Sequence, residues 1–528
     1  MTQLLHLSTE LLLQVGSFLS QDDLLNISLT CKHLRHATEP ELYREYNNQH
    51  LRARSFALFL GRILNRPELA TYVRRLELRQ WETLSNCFDG EDFSERELSE
   101  SDYTRFAQAA KTAGVISEVF PYEAESQVIK IFNNRLNLNR SLEESMSPWY
   151  SKVFDAQLPI KEVSYDRQFC QLLRSGLEDP FAVLLLAMLP NVNEIHLAWS
   201  LDGRLGLKWR APRHEFRNLR MITVNADGLI WPISNFNDQL SFQGLRNFEV
   251  IGGSSWREND DFMSDIPDAW ISAPLSLQPR TVHLRHLVLQ SCAMSSQEFQ
   301  KLMDACCQLK TLVYTCYNLK NFDGGETPLK LSAGELIECL QPHQTTLEEL
   351  YADIPPRSAE NPPGSRIKSL SHFTALRVID TLPYMWSKLL VEKPPDDDDS
   401  DAEDQEPLDE DALEFSEDDF LTRRLPSSVQ TLIFRESILE KTEMSLKHLD
   451  RLVEEHADRL PNLRRMFIGV FNLNQYALDL GYIQDKIDDA FDDGLSRLEL
   501  EIGQDNDSLG DARTRFDVTP WVMKYIYR

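Results

Sequence analysis

The sequence is poor in glycine and has no glycine-rich phosphate loop. Only 20 of its 528 residues are glycine, and neither GxGxxG nor GxxxxGK[ST] occurs, so no nucleotide-binding loop is predicted. The HExxH and GxSxG motifs of zinc peptidases and serine hydrolases are missing as well. We therefore predict no catalytic residue, no cofactor and no metal site.

Positive charge and long hydrophobic runs are also scarce. With 55 basic against 83 acidic residues, the net charge of −28 opposes binding to nucleic-acid phosphates. The longest apolar run, residues 181–189, is far shorter than the ~20 residues of a membrane span. Glu10 and Gln14 interrupt what would be a signal-peptide core. We predict an intracellular protein of the cytoplasm, the nucleus or both, without nucleic acid or membrane as a partner.

The eight cysteines have neither CxxC pairs nor the density of a disulfide scaffold. In a chain of this length they are typical of reduced cysteines, most of which are buried as small hydrophobic residues.

The first fifty residues predict three short helices. Ser8 can cap the first helix, with Glu10 in its first turn, and Gln21-Asp22 can cap the second. A third segment from Cys31 to Thr38 is expected to end before Pro40. The apolar residues of the first helix share one arc. They are Leu11, Leu12, Val15, Phe18 and Leu19.

The apolar residues of the second helix cover a wider arc than one core requires. Leu24, Leu25, Ile27 and Leu29 spread over about 200° at 100° per residue. One side can pack inside the module while the other receives a partner helix. Alternatively, the surplus leucines pack against the domain that follows.

Residues 7–44 resemble an F-box, the motif that docks substrate receptors onto the adaptor subunit of cullin–RING ubiquitin ligases. The resemblance rests on the opening L-x-x-E-L-L, the central D-L-L, the Cys31-Lys32 pair and the closing Tyr43. This chain has Ser8 where the family usually has proline, and Leu34 where tryptophan is frequent. The resemblance implies that the adaptor binds Leu7, Ser8, Glu10, Leu11, Leu12, Val15, Leu24, Leu25, Ile27, Cys31, Lys32 and Leu34.

A Leu-x-x-Leu-x-Leu template recurs along the rest of the chain. It fits at Val73, Val192, Leu219, Leu245, Leu284, Leu309, Leu347, Val429, Leu463 and Leu495, and weakly at Leu376, where polar Thr381 takes the last place. From Val192 onward the spacings run from 25 to 53 residues, and the short ones lie near the leucine-rich-repeat range. Helical segments precede some of the strands, as at Ser296 to Ala305 and His448 to Arg459.

The predicted fold class is α/β: an N-terminal three-helix F-box followed by an irregular leucine-rich-repeat solenoid, with a curved parallel sheet and outer helices. The competing interpretation is an ordinary α/β domain whose strands share the apolar spacing.

The expected domains are the F-box at 1–50, a helical linker at 51–72, the solenoid at 73–392, an acidic insertion at 393–419, and the solenoid's continuation and C-terminal cap at 420–528. A helical insertion is expected at about 89–190, with an acidic loop from Asp89 to Asp102 and helices such as Tyr103 to Ala110, Ser126 to Phe132 and Phe169 to Leu177.

The residues between the template positions are predicted to face the concave side of the sheet, where a target would bind. Glu77, Asn247, Glu249 and Val288 are among them, and the candidate target-binding residues are Arg75, Glu194, His196, His286, Tyr351, Asp353, Arg465 and Phe467. Lys or Arg follows the first template position at 74, 220, 246, 285, 310, 377 and 464. These basic residues either attract an acidic or phosphorylated segment or are solvated residues that keep strand edges from aggregating.

We predict a substrate-recognition adaptor of an SCF-type ubiquitin ligase, not an enzyme, that holds a protein target near partner subunits. Two alternatives remain: a repeat scaffold that uses its F-box-like helices for assembly without degradation, and a motif-poor hydrolase within residues 102–190.

The acidic stretch at 393–419 is predicted to be a disordered insertion, because residues 396–419 hold 15 acidic and no basic residues. Without the 27 residues from 393 to 419, the interval from Leu376 to Val429 falls from 53 to 26 residues, an ordinary repeat length. The insertion is either a passive solubilising loop or a site of phosphorylation at Ser400 and Ser416, which precede acidic residues.

Deleting residues 393–419 is expected to leave the chain folded, because halving a loop changes the closure free energy by only ~0.6 kcal/mol. Thermal unfolding measures this, and loss of folding contradicts the prediction. Target binding that stays the same with and without phosphate would leave only the passive loop.

Overall fold

The structure is a computed structural model. It describes residues 7–48, 55–78, 97–122, 164–198, 216–225, 231–233, 237–254, 275–292, 294–316, 331–354, 366–381, 385–386, 421–437, 451–452, 454–470 and 499–504. Contacts divide the chain into two compact units. The first comprises residues 1–252 and 256–276, and the second comprises 253–255 and 277–528. The division falls inside the stretch predicted as one solenoid.

Three short helices open the first unit: α1 (Thr9–Gly16), α2 (Gln21–Thr30) and α3 (Lys32–Leu42). Ser8 caps α1 as predicted, but the cap of α2 is Ser20, whose Oγ accepts the Asp23 N–H at 3.2 Å. The predicted end before Pro40 is wrong, because α3 runs on to Leu42. Pro40 lies in the last turn, where its missing N–H costs a single helical hydrogen bond.

The first unit continues with helices and strands in alternation. Its helices are α4 (Ser55–Asn65), α5 (Glu100–Ala113), α6 (Tyr165–Arg174), α7 (Glu178–Met188) and α8 (Asn237–Leu240), with a 3₁₀ turn at Pro67–Thr71. Its strands are β1 (Glu45–Asn47), β2 (Arg75–Leu78), β3 (Glu194–Ala198), β4 (Met221–Asn225), β5 (Trp231–Pro232) and β6 (Asn247–Ile251).

Three helices, α5, α6 and α7, lie within the stretch where a helical insertion was predicted. The acidic loop ends earlier than predicted, because Ser99 caps α5 and the acidic Glu100 and Asp102 form its first turn. The predicted helix from Ser126 to Phe132 lies outside the described residues.

Five strands of the first unit form a parallel sheet in the order β1-β2-β3-β4-β6. Identical template positions are register partners and form one buried column, which consists of Tyr46, Leu76, Ile195, Ile222 and Phe248. Strand β1 was not predicted. It pairs in parallel with β2 and adds Tyr46 to the column.

The second unit repeats this arrangement. Its elements are β7 (Gly253–Ser254), β8 (His286–Cys292), α9 (Ser296–Ala305), β9 (Thr311–Cys316), α10 (Ala333–Cys339), a 3₁₀ turn at Gln341–His343, β10 (Glu349–Asp353), β11 (Val378–Thr381), α11 (Leu421–Arg424), β12 (Thr431–Ser437), β13 (Arg465–Val470) and β14 (Glu499–Gln504). Strands β8 to β14 form a parallel sheet in chain order. Identical template positions are again register partners, since Leu287, Leu312 and Leu432 lie in one column and are fully buried.

Helix α9 lies on the side of the buried column of its sheet. The predicted helix from Ser296 to Ala305 is confirmed as α9, and its Phe299 contacts Tyr314 of β9 edge to face at 5.4 Å between ring centres. Residues 454–459 are helical within the segment predicted from His448 to Arg459.

Two template matches differ from the prediction. The weak match at Leu376 is a full strand, β11, in which the Trp386 indole N–H donates to the buried Thr381 Oγ1 at 2.8 Å. In β14 the register partners of Met466 and Ile468 are Leu500 and Ile502, so the frame lies two residues beyond the one predicted from Leu495.

The described cysteines are free, and most of them are buried. No helix of the described residues is both long and apolar enough to cross a bilayer. The acidic stretch at 393–419 lies outside the described residues.

Replacing Leu76 by alanine is expected to destabilise the first unit by ~2–5 kcal/mol, because it leaves a cavity in the buried column. The matched control is Leu58→Ala, since Leu58 of α4 is 76% exposed while Leu76 is fully buried. The control should change stability by only about 0.5 kcal/mol. Denaturant unfolding measures both, and equal effects of the two substitutions would contradict the column.

Candidate functional site

Helix α1 presents an apolar face to solvent. The Leu11 N–H donates to Ser8 Oγ at 3.5 Å, which fixes the first turn. Hydrogen bonds from its own backbone N–H and from the Ser8 hydroxyl lower the pKa of the Glu10 carboxyl, which stays ionised at the positive end of the helix. Leu11 and Val15 lie one turn apart and are therefore on the same face of the helix.

Five large apolar side chains of the module are exposed, and we call them the exposed apolar set. They are Leu11 at 48%, Val15 at 41%, Phe18 at 83%, Leu25 at 47% and Leu29 at 65% exposure. Leu25 and Leu29 lie one turn apart on α2, so they too share a face. A concentration of exposed apolar side chains of this kind is typical of a protein-docking surface.

The twelve residues predicted to bind the adaptor fall into three groups by exposure. Leu12, Leu24 and Leu34 are buried, so substitutions there act on the module's own core. Leu7, Ile27 and Cys31 are half-buried and pack against that core. The exposed residues are Ser8, Glu10, Leu11, Val15, Leu25 and Lys32.

Two members of the exposed apolar set are absent from the predicted adaptor-binding residues. Phe18 follows the end of α1 instead of continuing it, and Leu29 lies in the last turn of α2. Both belong to the apolar arcs that the sequence shows, but helical periodicity alone does not separate the core side of an arc from its solvent side.

Side-chain contacts hold the helical module against the rest of the first unit. The Arg66 guanidinium donates two hydrogen bonds to the Glu39 carboxylate, at 2.6 and 2.7 Å. The rings of Tyr43 and Phe59 stack with their centres 6.3 Å apart. These contacts join α3 to α4 and to the turn that follows α4.

One comparison with known proteins identifies this module. A family model described as F-box-like matches residues 5–49. The N-terminal helices are F-box-like. No curated protein matches the chain.

Side chains opposite the buried columns form what we call the open face of each sheet. In the first unit, the predicted target-binding residues Arg75 and Glu194 are register partners on neighbouring strands of this face. His196, two residues beyond Glu194, lies on the same face because side chains alternate along a strand.

The open face of the second unit is more apolar. Val313 and Tyr351 are buried there and pack with half-buried Val288 and Val378. The predicted residue Phe467 lies in the same row as Tyr351, whereas His286 and Arg465 lie in the row before it and Asp353 in the row after it.

The basic residues that follow the first template position already have partners in several repeats. Arg74 donates to Thr71 O at 2.8 Å, Arg220 to Gly244 O at 3.0 Å, and Arg246 to Gln243 O at 2.7 Å. Lys310 and Arg377 both pair with Glu348. These hydrogen bonds and ion pairs favour a local role for the basic residues at the start of the strands. They argue against a row of unpaired basic residues that binds an acidic or phosphorylated segment.

Ionisable side chains do not gather into a metal centre in the part of the chain that the structure describes, since no group of three or more His, Cys, Asp or Glu is arranged to hold an ion.

Replacing Arg66 by alanine is expected to loosen the helical module, because it leaves the largely buried Glu39 carboxylate without its two donors. Arg66→Lys keeps the charge but cannot form the two parallel bonds, so its melting temperature should lie between those of wild type and Arg66→Ala. Thermal unfolding measures the order, and hydrogen exchange in α3 reports the local effect. An unchanged melting temperature in Arg66→Ala contradicts this role.

Proposed function

We propose that this chain is a substrate receptor of an SCF-type cullin–RING ubiquitin ligase, with no catalysis of its own. The adaptor subunit of the ligase binds the F-box-like helices, and the sheets bind a protein to be ubiquitinated. The receptor raises the effective concentration of the target near the subunits that transfer ubiquitin.

The observation that carries this proposal is the exposed apolar set on a module that matches the F-box-like family. Exposed leucine, valine and phenylalanine are costly to leave in water, and a partner helix or groove removes that cost. The parallel sheets with register-aligned repeats supply the second surface, because strands of such arrays present their intervening side chains for binding.

Replacing both Leu11 and Leu29 by alanine is expected to weaken adaptor binding at least tenfold, because each truncation removes an apolar anchor worth more than ~1 kcal/mol. Both side chains are exposed, so the melting temperature should stay that of wild type. Isothermal titration with purified adaptor subunit measures the affinity.

The matched control is Leu58→Ala, the same change at a more exposed leucine outside the match to the F-box-like family. It should leave adaptor affinity unchanged. Undiminished adaptor binding by the folded double variant would defeat the receptor proposal. Adaptor capture without cullin in a pull-down of the wild-type chain would favour the scaffold alternative.

A further inference from the structure

One row of polar side chains crosses the open face of the first unit. Glu77 of β2, His196 of β3, Thr223 of β4 and Glu249 of β6 are register partners on successive strands. Their neighbours along each strand belong to the buried columns, so these four side chains point to the opposite side. We call them the polar row.

Two side chains of the polar row are buried, although they lie on the open face of the sheet. Glu77 and Glu249 are only 4% and 7% exposed, although both carry carboxyl groups. Burying a carboxylate is costly unless donors surround it. Polar groups held in this way are candidates for a functional site.

Glu77 has donors of its own. The Asn47 side-chain amide donates to Glu77 Oε2 at 3.1 Å, and the Arg75 guanidinium lies 3.6 Å from the same oxygen. The charge of Glu77 is therefore balanced within the protein.

Glu249 lacks this balance. Within the described part of the chain its hydrogen bond comes from the Thr223 hydroxyl, at 3.3 Å to Oε2, and no cation lies within ion-pair distance. Burial accordingly raises the pKa of the Glu249 carboxyl. One hydroxyl leaves most of the acceptor capacity of a carboxylate unused.

His196 lies in the same row as Glu249, two strands away from it. Its Nε2 is buried and has no hydrogen bond among the described residues; the nearest acidic oxygen, Glu194 Oε2, is 3.6 Å away. Burial, and next the positive charge of Arg75, lower the pKa of the imidazole, while Glu194 and Glu77 act the other way. A neutral imidazole adds no positive charge to the row.

The charges on the open face of the first unit indicate which kind of ligand group fits the polar row. Around the row, the open face carries the four carboxylates of Glu45, Glu77, Glu194 and Glu249 against one guanidinium, that of Arg75. An ammonium or guanidinium supplies several N–H donors and one positive charge, which is what the incompletely bonded Glu249 carboxylate lacks.

We propose that the polar row binds a basic side chain, lysine or arginine, of an extended segment of a protein target. Glu249 pairs with the cation, and His196 and Glu194, on a strand two positions away in the same sheet, border the site. The inference names the target class for the receptor function proposed above and rests on that function.

Glu249→Gln tests the proposal in the purified full chain without adaptor. The probe is a fluorescein-labelled octapeptide of alternating arginine and serine, and the matched neutral peptide has citrulline in place of arginine. Glu249→Gln should weaken binding of the arginine peptide about tenfold or more, as expected on losing a charged hydrogen-bond partner. Fluorescence anisotropy measures both peptides.

Glu100→Gln is the control for general attraction to an acidic protein, because it removes the same charge from the exposed first turn of α5. It should change the affinity less than twofold, and the citrulline peptide should not bind. Equal weakening by the two variants, or no binding of the arginine peptide to wild type, would overturn the site. Neither result bears on adaptor binding, which the double variant with alanine at Leu11 and Leu29 tests separately.

Stability distinguishes a binding role from a structural one. A carboxyl whose pKa is raised in the folded state binds its proton more tightly there, so its ionisation destabilises the fold as pH rises from the ordinary range near 4.5 through the raised pKa. Glu249→Gln should therefore have a melting temperature at pH 7 at least equal to that of wild type, with a difference that shrinks toward pH 4. A variant less stable at pH 7 would make Glu249 a structural residue and overturn the proposal.

Discussion

A repeated backbone interaction at the start of the strands sets the register of both sheets. The carbonyl group just before a strand accepts two N–H groups, one from the residue that precedes the next strand and one from that strand's first residue, as Arg44 O does from Arg74 at 2.7 Å and Arg75 at 3.1 Å. The same double acceptance recurs at Arg74, Asn193, Arg220, Arg285, Lys310, Glu348, Arg377 and Gln430. Because register decides which side chains are buried, this interaction aligns the buried columns and the rows of the open faces across the strand pairs in which it occurs.

The buried columns could be predicted from the sequence. A strand that is buried on one side has apolar residues at alternate positions, and this pattern within the strand does not depend on how many residues separate one repeat from the next. The failures occur where that signal is weak. Strand β1 follows α3 after only two residues and carries one column residue, Tyr46, so no template could find it. In β14 the run of alternating apolar residues fits two frames, and pairing with β13 selects the later one.

The candidate site was less predictable than the fold. Glu77, His196 and Glu249 could be assigned to the open face by alternation alone, but their burial and pairing depend on neighbouring strands that are far apart in sequence. Likewise, the arc of α1 contains both exposed Leu11 and buried Leu12. Only the packing of α1 against α3, through Leu34 and Ala37, decides which leucine remains available to a partner.

Continuity between the F-box-like helices and the first sheet has a functional consequence. Helix α3 leads directly into β1, and the Asn47 side chain of that strand donates to Glu77 of the polar row. The Arg66–Glu39 bonds hold the same helix to the turn after α4. Within this unit, a target on the polar row would therefore keep a fixed distance from a partner on the exposed apolar set. A receptor that works by proximity requires such a fixed distance, because effective concentration falls when the connection between two binding sites is loose.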